Sequence, residues 1–310
     1  NALCNNGVLC LLGKDKFVIW REEEIMEKQR ISDKKYIHVA CVGNPNCGKT
    51  TLFNALTGSR LKVANWPGVT VEKVEGETEY EGMGIRLVDT PGIYSLTCYT
   101  IEEKVTRSCV MDDEIDVIIN IVDASSLERN LYLTLQLLEL GKPVVLALNM
   151  MDIVKERGME IDLHRLPEML GGIPVVPVSA ARRTGLDILL HAVVHHYEEG
   201  AEEYILDYPS EIEDRIAKLS VMMEAHYPTH SSVRWHAIKL LEDDEEVRIE
   251  HPIQTANVVE RSYEKDIIQC KYAYIEHVVA DTLFHRDKKA ATTDRADRLL
   301  THPVLGIPVF

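Results

Sequence analysis

The chain has 310 residues, 45% of them apolar and 27% charged, the balance of a globular protein with ample core. Its 34 Lys and Arg face 50 Asp and Glu, a formal charge of −16, which argues against a broad phosphate-backbone footprint and so against nucleic acid as a partner. No run of 18 apolar residues occurs, and the seven cysteines, odd in number and without a C-x-x-C, signal neither a disulfide framework nor a zinc ribbon. The sequence opens on Asn1 with no signal-peptide pattern, so it reads as a piece of a longer polypeptide in a reducing compartment.

Residues 1–36 form an N-terminal extension, with a hairpin expected around Gly13-Lys14-Asp15 and an acidic-basic helix from Glu22. Residues 37–200 alternate strand and helix patterns, the signature of an α/β unit with a mostly parallel sheet and helices on both faces. The predicted strands are Ile37–Val42, Val71–Tyr80, Ile85–Val88, Val117–Val122, Val144–Leu148 and Val175–Val178, and the predicted helices include Lys49–Thr57 and Leu127–Leu140. Residues 201–290 read as a small all-helical domain, helical over roughly 205–285 and free of strand runs. There Ser210 and Glu213 make a capping box for a helix with Ile212, Ile216, Leu219 and Met223 on one face. Pro228 ends that helix, and Trp235, Ile238 and Leu241 mark the next. The polar stretch 290–298 and the apolar ending 302–310 form a linker, 291–310.

Gly43-Asn44-Pro45-Asn46-Cys47-Gly48-Lys49-Thr50 fits G-x-x-x-x-G-K-[ST] between a predicted strand and a predicted helix, the setting in which this motif cradles phosphates. Its backbone N–H groups and the helix dipole face the phosphates, Lys49 reaches the β- and γ-phosphates, and Thr50 ligates Mg²⁺, with Thr51 beside it in the nucleotide site. Asp89-Thr90-Pro91-Gly92 closes the strand Ile85–Val88, so Asp89 is placed to hold Mg²⁺ and the Gly92 N–H to sense the γ-phosphate. Asn149-Met150-Met151-Asp152 ends the strand Val144–Leu148. The Asp152 carboxylate can accept from guanine N1–H and the exocyclic amine, a donor pair that adenine lacks. Ser179-Ala180 follows the next strand and suits the loop behind the base.

With four motifs in this order, the sequence resembles a Ras-like P-loop GTPase domain. Asn65-Trp66-Pro67-Gly68-Val69-Thr70-Val71-Glu72, Gly92-Ile93-Tyr94-Ser95-Leu96 and the ending from Asp294 resemble the ferrous iron transport protein B (FeoB) family from about residue 37 onward. That resemblance implies that Gly68, Val69 and Thr70 belong to switch I, with Thr70 completing the Mg²⁺ shell in the GTP state. It also implies that Asn46 helps ligate an activating K⁺, and that the catalytic set is Lys49, Thr70, Gly92 and Asn46. The ligands implied are GTP and GDP, at the cytoplasmic face of a membrane. The implied partners are a membrane transport domain in the same polypeptide, a FeoA-type protein and further copies of the chain. Residues before 36 weakly resemble the end of a FeoA-type module.

Ras-type enzymes orient the attacking water with a glutamine after the D-x-x-G glycine, but that position is Ile93, so slow intrinsic hydrolysis is expected. His191 and His195 stand four apart, yet the apolar stripe of Leu186, Leu189, Val193 and Tyr197 turns them to the polar side. Cys47 reads as filler, and the acidic run Glu242–Glu246 as solvated surface. A soluble ribosome- or RNA-associated GTPase is the competing reading, and the negative charge weighs against it.

Overall fold

Strands whose residues are apolar on both faces must be covered on both faces, and that requirement organises this molecule. The computed structural model describes residues 7–11, 17–21, 36–58, 61–200, 204, 206–227, 232–253, 255 and 257–285. The expected helix from Glu22, the break at Pro228 and the segment from 290 onward lie outside them. Strands β1 (Gly7–Leu11) and β2 (Phe17–Arg21) pair antiparallel, Gly7 opposite Arg21, as the expected hairpin requires.

From Tyr36 the strands are β3 (Tyr36–Gly43), β4 (Leu61–Asn65), β5 (Glu72–Tyr80), β6 (Met83–Asp89), β7 (Val117–Asp123), β8 (Val144–Asn149), β9 (Met159–Ile161) and β10 (Val175–Pro177). Seven of them make one sheet in the order β10-β8-β7-β3-β6-β5-β4. The first five of these run parallel, and β5 and β4 add an antiparallel edge. The intervening helices are α1 (Lys49–Thr57), α2 (Ile101–Met111), α3 (Leu127–Leu138), α4 (Met151–Glu156), α5 (Arg165–Met169) and α6 (Leu186–Glu199). Period-two alternation sorts β3: Ile37 and Val39 face α1 and α6 through Leu52, Phe53, Leu189 and Val193. Ala40 and Val42 face the opposite core with Val110 of α2 and Leu131 and Leu135 of α3. The doubly wound α/β architecture is the one expected.

The second unit contains α7 (Ser210–His226), α8 (Val233–Leu241), α9 (Glu245–Glu250) and α10 (Glu264–Thr282), and ends in β11 (Leu283–His285). It shares the α2/α3 core, contributing Ile216, Leu219, Trp235, Ile275 and Val278. Helix α3 is therefore buried nearly all round, its Asn130, Thr134 and Gln136 included, and Tyr132 stacks on Tyr272 of α10 at 5.1 Å. Three sequence expectations need correction. The unit is not strand-free, because β11 pairs antiparallel with β9, Leu283 opposite Ile161. Ser210 does not cap α7: Pro209 is the N-cap residue, while Glu213 accepts from Tyr208 N at 3.1 Å and pairs with Arg234 at 2.7 Å. The run Glu242–Glu246 is not simply solvated surface either. Glu242 is buried against Lys239 and Lys271, and Asp244 holds buried Arg107 at 2.8 Å. No described helix is long and apolar enough to cross a membrane.

The junction between the two units carries buried charge. Glu139, at the end of α3, accepts from Lys271 at 2.8 Å and from the Tyr208 hydroxyl at 2.6 Å. Burial would push Lys271 down, but Glu139 and Glu242 hold it above its ordinary value. Burial likewise opposes ionisation of Glu242, and Lys239 and Lys271 override it, holding its carboxyl below the usual range. Removing one member leaves an uncompensated buried charge. Lys271→Met is therefore expected to destabilise the chain by about 3–5 kcal/mol in urea denaturation, and adding Glu139→Gln should recover part of the loss.

Candidate functional site

The loop joining β3 to α1 reverses direction within eight residues, and two positions show why its sequence is constrained. A Cβ on Gly43 would lie 2.4 Å from Ile121 O, so only glycine lets the loop leave the sheet beside β7. Gly48 has φ +86° and a built Cβ would lie 2.3 Å from Asn149 Nδ2. Asn46 also adopts a left-handed φ of 66° and is exposed on the loop. Cys47 is buried in the core beneath, and burial pushes its thiol up to about 11, as expected of a filler. Asn44 is buried too, donating from Nδ2 to Arg129 O at 3.1 Å.

Asp89, at the end of the neighbouring β6, meets this loop. Lys49 Nζ lies 2.6 Å from Asp89 Oδ1, and Thr50 Oγ1 donates to Asp89 Oδ2 at 3.2 Å. A hydroxyl and a carboxylate converging at a helix N-terminus are a hard-oxygen pair of the kind Mg²⁺ takes. Thr90 ties the next residue down, its hydroxyl donating to Cys41 O at 2.9 Å. Gly92 then passes so near the phosphate loop that a Cβ would meet Pro45 Cα at 3.1 Å. Ile93 follows with 2% exposure, its N–H donating to Gly43 O at 3.2 Å. Its side chain is a core anchor and does not face the loop's ligand side.

At the end of β8, Asn149 is a clamp. Its Nδ2 donates to Cys47 O at 2.9 Å and its Oδ1 accepts from Ala180 N at 3.0 Å, joining the phosphate loop to the Ser179-Ala180 loop. Met150 takes a left-handed φ of 63°, and its side chain reaches toward Gly48. Asp152 accepts from Ser179 Oγ at 3.0 Å and lies 3.3 Å from Arg182 Nε. The Ser179 hydrogen bond, helped by Arg182, keeps its carboxyl ionised below the usual carboxylate range. A carboxylate held toward its ionised form, with 18% side-chain exposure, is suited to a paired N–H donor.

The structure thus gathers Gly43, Asn44, Pro45, Asn46, Cys47, Gly48, Lys49, Thr50, Asp89, Gly92, Asn149, Met150, Asp152, Ser179 and Ala180 along one edge of the sheet, with Thr51 on the exposed face of α1. Gly68, Val69 and Thr70 stand apart on the β4–β5 loop, a turn closed by Val69 N to Trp66 O and Trp66 N to Val71 O. Thr70 is exposed there and outside the Lys49–Thr50–Asp89 contacts. His191 and His195 are exposed on α6, His195 lying 3.1 Å from Glu199. Sequence reasoning assigned no role to Arg129 or Arg182. Nothing local marks either one, since their partners Tyr94 and Asp152 are 35 and 30 positions away.

Comparison with known proteins places this geometry. A family model described as Ferrous iron transport protein B matches residues 37–193, and one described as FeoB cytosolic helical domain matches residues 208–283. The Fe(2+) transporter FeoB of Legionella pneumophila (strain Paris) is 37% identical over 284 residues, 88% of this chain and 37% of that protein. The Fe(2+) transporter FeoB of Escherichia coli (strain K12) is 36% identical over 298 residues, 89% of this chain and again 37% of the relative. The chain spans little more than a third of the length of these relatives. Among solved structures, the cytosolic domain of T. maritima FeoB in apo form superimposes with a TM-score of 0.75 at 38% identity, covering 80% of this chain and 100% of that one. The GMPPNP form gives 0.74 at 37% identity, covering 80% and 99%. A GDP-bound mutant of the S. thermophilus FeoB G-domain gives 0.75 at 36%, covering 80% and 100%.

The clamp is the point where a small change should cost most. Gly48→Ala places a methyl against Asn149 and forces a left-handed residue, so nucleotide affinity is expected to fall by at least about tenfold. Titration of a fluorescent guanine nucleotide measures this, and circular dichroism should show the helix content kept.

Proposed function

The chain belongs to the ferrous iron transport protein B (FeoB) family, and on that premise we propose that it binds and hydrolyses GTP to gate Fe²⁺ uptake by a membrane transport domain of the same polypeptide. The observation that carries this reading is the convergence of phosphate loop, Asp89, Asp152 and Ser179 on one sheet edge, held together by Asn149. Lys49 neutralises the β- and γ-phosphates, Gly92 N–H senses the γ-phosphate, and Asp152 selects guanine. Thr50 and Asp89, joined by Thr70 in the GTP state, would hold Mg²⁺, which supplies charge neutralisation at the β- and γ-oxygens.

Burial of Ile93 supports slow intrinsic turnover, because no side chain at that position can orient water. The exposed, left-handed Asn46 supports a potassium-assisted reaction: it offers a neutral oxygen ligand on the phosphate loop, where cationic charge would stabilise the transition state. A FeoA-type protein and further copies of the chain are the other partners this reading carries. The competing ribosome- or RNA-associated role is disfavoured by the charge of −16.

Turnover by the purified chain in matched KCl and NaCl, with ATP as control, tests the reading. GTP-selective hydrolysis, raised at least several-fold in K⁺ and lost with Asn46→Ala, is the expected result. Equal rates in both salts would remove the K⁺ role, and equal use of ATP would remove the assignment of Asp152. Thr70→Ala is expected to abolish the GTP-dependent change in hydrogen exchange over residues 66–71 while leaving GDP binding intact.

A further inference from the structure

The segment after Asp89 is held at unequal strength along its length. Ile93 and Leu96 are buried anchors, the latter also donating its N–H to Gln136 Oε1 at 2.8 Å. Tyr94 between them is 43% exposed, so burial does not fix it. Arg129 holds it instead: its guanidinium lies over the Tyr94 ring at 4.6 Å, and Nη2 donates to the Tyr94 hydroxyl at 2.7 Å. The backbone carbonyl of the same Arg129 accepts from buried Asn44 of the phosphate loop. One residue at the start of α3 therefore ties the phosphate loop to the segment that carries Gly92.

We propose that Arg129 is a positioning residue for the γ-phosphate sensor, clasping Tyr94 so that the Gly92 N–H is set against the phosphate loop before GTP arrives. The inference rests on the GTPase reading above and adds to it a residue that selects between nucleotides. Without the clasp, the stretch between the Ile93 and Leu96 anchors gains conformational freedom beside Gly92 that a γ-phosphate must then remove, and this ordering cost falls on affinity. GDP presents no γ-phosphate to Gly92 and escapes that cost. Because Asn44 is held by a main-chain carbonyl, substituting the Arg129 side chain leaves the phosphate loop tied. The clasp also walls a cleft of about 790 Å³ whose far side is Tyr272, Val279 and Leu283, so its state is presented to the helical unit.

The test is calorimetric titration of the whole chain with GMPPNP and with GDP. Arg129→Ala is expected to raise the GMPPNP Kd about tenfold while the GDP Kd stays within about twofold. Tyr94→Phe keeps the ring and loses the hydroxyl, so a smaller GMPPNP-selective loss of about threefold is expected. Arg129→Lys should recover part of the GMPPNP affinity. Parallel loss for both nucleotides, or no loss for GMPPNP, overturns the proposal. If the unsubstituted chain binds neither nucleotide, the GTPase reading falls as well, and the two failures are thereby told apart.

Discussion

Parallel pairing is the constraint on which the site depends. Because β3, β6, β7 and β8 run the same way in register, Cys41 stands opposite Asp89, Gly43 opposite Ile121, and Asp123 opposite Asn149. All the carboxyl ends therefore open on one edge, where residues more than a hundred positions apart become neighbours. Only a sheet covered on both faces can hold that register, so the cores around Phe53 and Leu131 are as much a part of the site as Lys49. Asn149 completes the arrangement with two hydrogen bonds, joining the Gly43–Gly48 loop and the Ser179-Ala180 loop into a single body.

Helix α3 extends this logic beyond the sheet. Its twelve residues span about 18 Å, with Arg129 at the phosphate-loop end, Tyr132 stacked on α10, and Glu139 closing the far end against Lys271 and Tyr208. A helix buried on nearly every side moves as a unit or not at all. A second route from the site runs through α4, which begins just after Met150 and leads into β9, the partner of β11. The helical unit therefore touches two elements, α3 and β9, that lead by chain from the Asn44 end and the Asp152 end of the site.

Most of this was legible in the sequence where the signal is local. The phosphate loop, D-x-x-G and N-x-x-D are short segments recognised by their order and spacing together, and the strand runs from Ile37 to Val178 lie within a residue or two of the observed strands. What escaped has no local signature. Strand β4 is exposed along its whole length and its Leu61-Lys62-Val63 alternation is too short to mark a strand, and β9 and β11 are three residues each. Glu242 looks like surface because its acidic neighbours do; Lys239 is only three positions away, but the burial of that pair follows from Lys271 and Glu139, and Lys271 is 29 positions on from Glu242. Ser210 and Glu213 fit the capping pattern, but Pro209 takes the N-cap place and Arg234 claims the carboxylate. Pairing over long sequence separations is what one sequence does not display.

Ile93 shows how a loss in one role becomes a gain in another. A polar side chain at this position could meet water, but it would not bury at 2% exposure beside Leu96 and hold the segment against Gly43 O. The isoleucine gives a switch segment with fixed anchors, leaving little for a ligand to order. The cost is that charge and water positioning must come from the phosphate loop and from backbone groups. Backbone donors suit that task, since their geometry is set by the fold and needs no reorganisation as charge develops. Under the proposed function, such a GTPase would turn over slowly and take its cationic charge from an ion held on that loop. That combination would suit the proposed gate, in which the lifetime of the bound state sets how long the path stays in one state.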